Sequence, residues 1–144
     1  MKLDFWQLSR DPADKVTALI AGRVLGQDER LLVVSSDAAQ REAISRALWS
    51  AGPETFLANG DADKPGADRQ PILLSETTQP ANGASHVIFA DGTYRETEGF
   101  ARAFLLFDDE TLQSARQTWK ALEDREGLER AFFRQDGGKW VKVA

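Results

Sequence analysis

The sequence predicts an α/β domain in three layers, with a mixed, mostly parallel sheet of about seven strands and helices on both faces. Three observations carry that prediction. Strand-like and helix-like periodicities alternate from the amino terminus onward, which is the βαβ rhythm of a parallel sheet. Leu31–Val34 (LLVV) is short, wholly apolar and partly β-branched, as a central strand covered on both sides must be. Finally, 144 residues of which 42% are hydrophobic and 28% charged suit one globular unit, so residues 1–144 are expected to form a single domain.

The elements follow in order. Leu3 to Leu8 alternates apolar with polar residues and reads as a first strand. Asp11 is suited to an N-cap and Pro12 to a first helical position, so a helix is expected from Pro12 to about Gly26. Val16, Leu19, Ile20 and Val24 supply its buried stripe, and Gly22 weakens it by about 1 kcal/mol relative to Ala. After the LLVV strand, Asp37 and Gln40 resemble a capping box. The helix they open carries Ala43, Ile44, Ala47 and Leu48 and ends near Gly52-Pro53.

Phe56 to Gln70, rich in Gly, Pro and alternating charge, reads as a long surface loop. Short strands are expected at Ile72–Ser75 and from His86 to Ala90, the latter closed by the turn Asp91-Gly92. Arg102–Phe107 (RAFLLF) fits a strand, with Asp108-Asp109 capping a long helix that reaches about Glu126 and stops at Gly127. Segments 128–134 and 139–143 flank QDGG as a two-stranded hairpin.

Composition excludes several function classes. No run of ~18 apolar residues occurs, and the amino-terminal apolar patch contains an acid, so neither a membrane span nor a signal peptide is expected and the default address is cytoplasmic. Cysteine is absent, which removes disulfides, thiolate metal sites and cysteine nucleophiles together. Eighteen basic residues against 23 acidic ones give a net charge of −5. Non-specific nucleic-acid binding draws on Lys and Arg displacing counterions, so strong direct DNA binding is not expected and protein partners become more attractive.

Catalytic signatures are sparse. Neither a GxGxxG nor a GxxxxGK[ST] follows a strand, so the backbone-amide cradle that holds a dinucleotide or a triphosphate has no sequence support. His86 is the sole histidine, which excludes a two-histidine metal site. Asp61 and Asp63 could hold Mg²⁺ only loosely without a third converging oxygen. Asp108 and Asp109 are explained by a helix dipole. Ser9, Ser35 and Ser36 end strands, yet no partner base accompanies them. No catalytic residue, cofactor or metal is assigned.

The informative feature is aromatic placement. Trp49 ends the second helix, and Phe56 follows across GPET, so two large rings cluster where a helix exits into a loop. They are either the edge of the core or an interface. In ARQTWK (Ala115 to Lys120), Arg116, Trp119 and Lys120 stand at i, i+3 and i+4. At about 100° per residue, Leu112, Ala115, Trp119 and Leu122 form one stripe, with Arg116 and Lys120 along its edge. Trp119 is therefore either core flanked by cations or the floor of a shallow pocket for an acidic peptide ending in a hydrophobic residue and a free carboxylate.

Several segments in order and spacing resemble the chi-subunit family of bacterial DNA polymerase III: DFWQLSRD, ERLLVVSSD, ALW with PETF following, RQPILLS, ARQTWK and the closing KWVKVA. The resemblance implies a Rossmann-like fold and a non-enzymatic adaptor within a DNA-directed DNA polymerase (nucleotidyltransferase) assembly. It implies binding of the acidic, Phe-terminated tail of single-stranded DNA-binding protein through Arg116, Trp119 and Lys120. It also implies binding of the psi subunit, or of an accessory helicase, through Trp49 and Phe56. Leu112 stands where family members often carry a lysine, and Ala58-Asn59 replaces the family's Pro-His. By itself the chain is expected to be a monomer, with Trp140 and Lys142 open as additions to the tail site. The alternatives are a nucleotide-dependent enzyme using Asp61, Asp63 and the strand-end serines, or a single-stranded DNA binder stacking bases on Trp119 and Trp140.

Overall fold

The computed structural model describes residues 1–51 and 57–144. Among them stand eight strands and three α-helices: β1 (Lys2–Gln7), α1 (Ala13–Gly26), β2 (Leu31–Val34), α2 (Ala38–Trp49), β3 (Asn59–Asp61), β4 (Ile72–Ser75), β5 (His86–Phe89), β6 (Arg102–Phe107), α3 (Leu112–Ala121), β7 (Glu129–Asp136) and β8 (Lys139–Lys142). One sheet holds all the strands in the order β3-β4-β2-β5-β6-β1-β7-β8. Every pairing is parallel except that of β7 with β8. The predicted three-layer α/β fold is the one observed, with one strand more than the sequence reading supplied.

That additional strand is β3, which lies inside the stretch read as a surface loop. It escaped detection because three residues, Asn-Gly-Asp, carry no hydrophobic periodicity. What fixes it is the edge of β4, against which Asn59, Gly60 and Asp61 pair with Ile72, Leu73 and Leu74.

Strand β1 occupies the middle of the sheet, between β6 and β7, and Leu3, Asp4, Phe5 and Trp6 are all buried. Its alternation is therefore the mark of two buried faces, one aliphatic-aromatic and one that contains an acid. Leu3 and Phe5 join Leu32, Val34, Phe89, Leu105, Ala115 and Leu122 in the core under α3. Trp6 joins Val16, Ile20, Val24, Ile44, Leu48, Ile88 and Leu106 in the core under α1 and α2. Helices thus cover both faces, two on one side and one on the other. Asp4 is fully buried and is bonded by the Arg102 guanidinium, its neighbour at the start of β6.

Several local readings are corrected. Asp11 does not cap α1: Pro12 holds the N-cap position, and no side chain caps it. The Asp11 carboxylate instead accepts from Gln135 Nε2, and Gln135 Oε1 accepts from the amides of Arg10 and Asp11, so β7 fastens the β1–α1 connection. Leu19, expected in the buried stripe, is 43% exposed. Asp37 does cap α2 through the Ala39 amide, but Gln40 does not close a capping box. Its amide donates to the Ala90 carbonyl, and Ser35 Oγ takes the Asp37 amide in its place. The helix of ARQTWK is shorter than expected, ten residues from Leu112 to Ala121. Asp108 and Thr111 bond each other reciprocally in the turn ahead of it, so the acid organises a turn and Thr111 becomes the N-cap. The hairpin is as read, with Gly137 at φ +62° between paired Asp136 and Lys139.

No helix of the described residues is long and apolar enough to cross a membrane.

Candidate functional site

Two surfaces compete for attention: the crevice where a ligand of an α/β sheet usually sits, and the face around α3. The first lies beyond the carboxyl ends of β1, β5 and β6. It is a cleft of about 510 Å³ lined by Arg10, Asp11, Gln40, Asp91, Asp108 and Thr111, among others. Its acids are already engaged. Asp11 is held by Gln135 and Asp108 by Thr111, while Asp91 accepts from Arg95 at 2.7 Å and from the Ser36 amide at 3.0 Å. Burial pushes the Asp91 carboxyl up, but the Arg95 and Ser36 hydrogen bonds together outweigh it and hold the group below its ordinary value. Gly92 turns here at φ +79°, and a Cβ on it would meet the Thr111 side chain at 2.7 Å. The glycine serves close packing of the loop.

The residues of the enzyme alternative are likewise occupied. Asp61 lies in β3 and pairs with Arg41 at 3.3 Å, and the Asp63 amide donates to Asp61. Ser35 is buried and bonded to Gln40. Among the described residues no three His, Cys, Asp or Glu side chains converge as a metal site. His86 opens β5, bonds Ser85 through Nδ1, and is held below its ordinary value of 6.5 by burial.

The second surface is built on an aromatic cluster. Phe5 of β1 stacks on Phe132 of β7 at 6.0 Å, and the half-buried Trp119 of α3 meets both edge-on, at 5.1 and 5.6 Å. Such contacts add about 0.5–1.5 kcal/mol each beyond the area they bury. They also fix the indole's orientation. The guanidinium of Arg130, on β7, lies 3.9 Å over the Trp119 ring and donates to the Trp119 carbonyl, satisfying one of the open acceptors at the helix end. The choice between core and receptor therefore resolves geometrically: Trp119 packs inward against Phe5 and Phe132 while remaining part of the surface.

Arg116 and Lys120 are exposed, and neither forms an ion pair among the described residues. Their direction follows from topology. Strands β6 and β7 are parallel and flank β1, so α3 is a crossover lying above β1, and its right-handed sense aims the flank beyond Trp119 toward β7 and β8. Trp119's contacts with Phe132 and Arg130 agree. The structure thus brings together all three residues of the predicted trio and adds Arg130 and Phe132. The sequence could have paired these two with each other, since they alternate in one strand, but not with α3.

Trp140 and Lys142 are on the other side. Trp140 packs at 4.5 Å on Trp6, within the core under α1 and α2, and Lys142 lies two residues further along the same strand face. Neither faces Trp119.

Trp49, the last residue of α2, is 57% exposed. Near it α1 and α2 enclose a cleft of about 740 Å³ lined by Ala18, Leu19, Ala47 and Leu57, with Lys15 and Arg23 among the polar lining. Phe56, paired with Trp49 in the sequence reading, lies outside the described residues.

A family model described as DNA polymerase III chi subunit, HolC, matches residues 1–129, so most of β7 and all of β8 lie beyond the match. No curated protein matches the chain.

Proposed function

Because the chain belongs to the DNA polymerase III chi subunit family, whose place is that of a replication accessory protein, we propose that it is a non-catalytic adaptor that links the clamp-loader assembly to single-stranded DNA-binding protein. It does so by binding that protein's acidic C-terminal tail. The observation that supports this reading is the α3 surface: an anchored, half-buried Trp119 beside two exposed cations with no carboxylate partner among the described residues. In a chain of net charge −5, cations left unpaired around a fixed ring suit a peptide that brings its own carboxylates and an apolar end.

The terminal Phe of the tail packs beside Trp119, and Arg116 and Lys120 take its carboxylates. Exposed ion pairs contribute about 0.2–1 kcal/mol each, so affinity is micromolar and falls as salt rises. Titration of an acidic, Phe-ending peptide against wild type and Arg116→Ala tests the assignment. Binding by wild type with a severalfold loss in the variant is expected; equal binding by the two, or none by either, overturns it.

A second surface completes the adaptor. The exposed Trp49, with Phe56 beyond it in sequence, is proposed to receive the psi subunit or an accessory helicase, because a large exposed ring is an efficient interface anchor. Copurification of psi or a helicase with tagged wild type, lost in Trp49→Ala, is the expected result. Capture unchanged by that substitution removes Trp49 from the interface.

A further inference from the structure

The cationic trio accounts for only part of the surface on this side of the sheet. Beyond Trp119, β7 continues with Phe132 and Arg134, and β8 lies antiparallel to it with Val141 directly opposite Arg134. Arg130, Phe132 and Arg134 alternate onto the α3 side, because Phe132 belongs to the core beneath α3 while Phe133 belongs to the core on the opposite side. Val141 shares the side of Arg134, and Val143, whose amide bonds the Phe132 carbonyl, is two residues further on. Val141 and Val143 are 40% and 46% exposed, among the few large apolar side chains left open in the described structure.

This uncovered margin has a consistent character. Its apolar floor is Phe132, Val141 and Val143. Its charged groups are Arg130 and Arg134, neither of which forms an ion pair among the described residues. Arg116 and Lys120 border it from the helix. One sign of charge and a shallow apolar floor, in a protein that is acidic as a whole, complement an extended chain that alternates acidic and apolar groups.

We infer that the peptide site does not end at α3 but continues across β7 and β8, where Arg130, Arg134, Val141 and Val143 receive the acidic residues that precede the peptide's apolar end. The inference rests on the tail-binding reading above and extends it from a pocket to a track. The opposite side of the same hairpin, with Trp140 packed on Trp6 and Lys142 beside it, takes no part.

The test uses two acidic peptides with the same C-terminal Phe, one short enough to reach only Trp119 and one long enough to cross the hairpin. Each is titrated by fluorescence anisotropy against wild type, Arg116→Ala, Arg134→Glu, Val141→Asp and Lys142→Glu. The long peptide is expected to bind wild type more tightly than the short one. Arg134→Glu and Val141→Asp should weaken the long peptide about two- to fivefold, the loss expected from one exposed pair, and leave the short one unchanged. Lys142→Glu should change neither.

If the long peptide binds Arg134→Glu and Val141→Asp as it binds wild type, while Arg116→Ala still loses binding, the track is wrong and the pocket stands. Should Lys142→Glu weaken binding as much as Arg134→Glu, net charge alone is responsible and the track is again wrong. Wild type binding neither peptide overturns pocket and track together. Circular-dichroism melts of the exposed-site variants, expected to match wild type, separate a binding loss from a folding loss.

Discussion

The two sides of the sheet are built from the same strands and end up with opposite surfaces. On one, α1 and α2 lie side by side and cover β2, β5, β6 and β1, and the hairpin adds Trp140 against Trp6. On the other, one ten-residue helix covers the core around Phe5 and leaves β7 and β8 open toward solvent. The fully covered side has accommodated its charge internally, in the pair of Asp4 with Arg102. The half-covered side leaves its cations free. How many helices lie on a face therefore decides whether a charge near it becomes a structural pair or a contact waiting for a partner.

The sharpest way to break this contrast is at the internal pair. Arg102→Ala strands a fully buried Asp4 carboxylate, and removing one partner of a buried pair costs about 3–5 kcal/mol, so urea denaturation should show the largest loss of any single change discussed. A loss below about 1 kcal/mol would mean that Asp4 is solvated after all. Trp119→Ala comes next. A fully buried Trp costs about 3–5 kcal/mol, and half-burial against Phe5 and Phe132 should reduce that to about 2 kcal/mol, with loss of peptide binding alongside.

Trp49→Ala and Arg116→Ala should each change stability by less than about 0.5 kcal/mol, because both side chains are exposed. They should differ in what they lose, Arg116→Ala the acidic peptide and Trp49→Ala the second partner. Either variant losing both partners would show that the two surfaces are not independent. The smallest effect belongs to His86. Its folded value lies below its ordinary one near 6.5, so the unfolded chain binds the proton more readily and stability declines as pH falls through that value. His86→Gln should remove this component from the melting temperature measured between pH 8 and pH 5.

The strands most easily read from the sequence were those with a physical reason to be apolar. LLVV, ILLS and RAFLLF are buried on both faces, and nothing but a central strand explains so many consecutive apolar residues in so short a run. Helix ends were harder. Asp11 and Gln40 have the right chemistry for caps, but Gln135 and the Ala90 carbonyl, remote in sequence, offered them better partners. Thr111 took the cap expected of the Asp108-Asp109 pair because Asp108 was used to close the preceding turn. Local propensity fixes which residues can cap; the three-dimensional neighbourhood fixes which of them does.

The candidate site divides the same way. Periodicity placed Arg116, Trp119 and Lys120 together because a helix imposes its own geometry, whatever surrounds it. Whether Trp119 was core or surface depended on Phe5 and Phe132, which reach it from strands more than ten residues away, and on Arg130 over its ring. Trp140 and Lys142 left two choices in the sequence, since a strand presents alternate residues to opposite sides. Only the pairing of β8 with β7 assigned them to the side of Trp6. The sequence by itself determined the layers, the order of the elements and the one helical turn that carries the cations, because those follow from spacing along a single chain. The tertiary structure alone decided which face each strand shows, how far α3 extends over it and which charges remain unpaired, because burial and pairing are properties of groups brought together from distant parts of the chain.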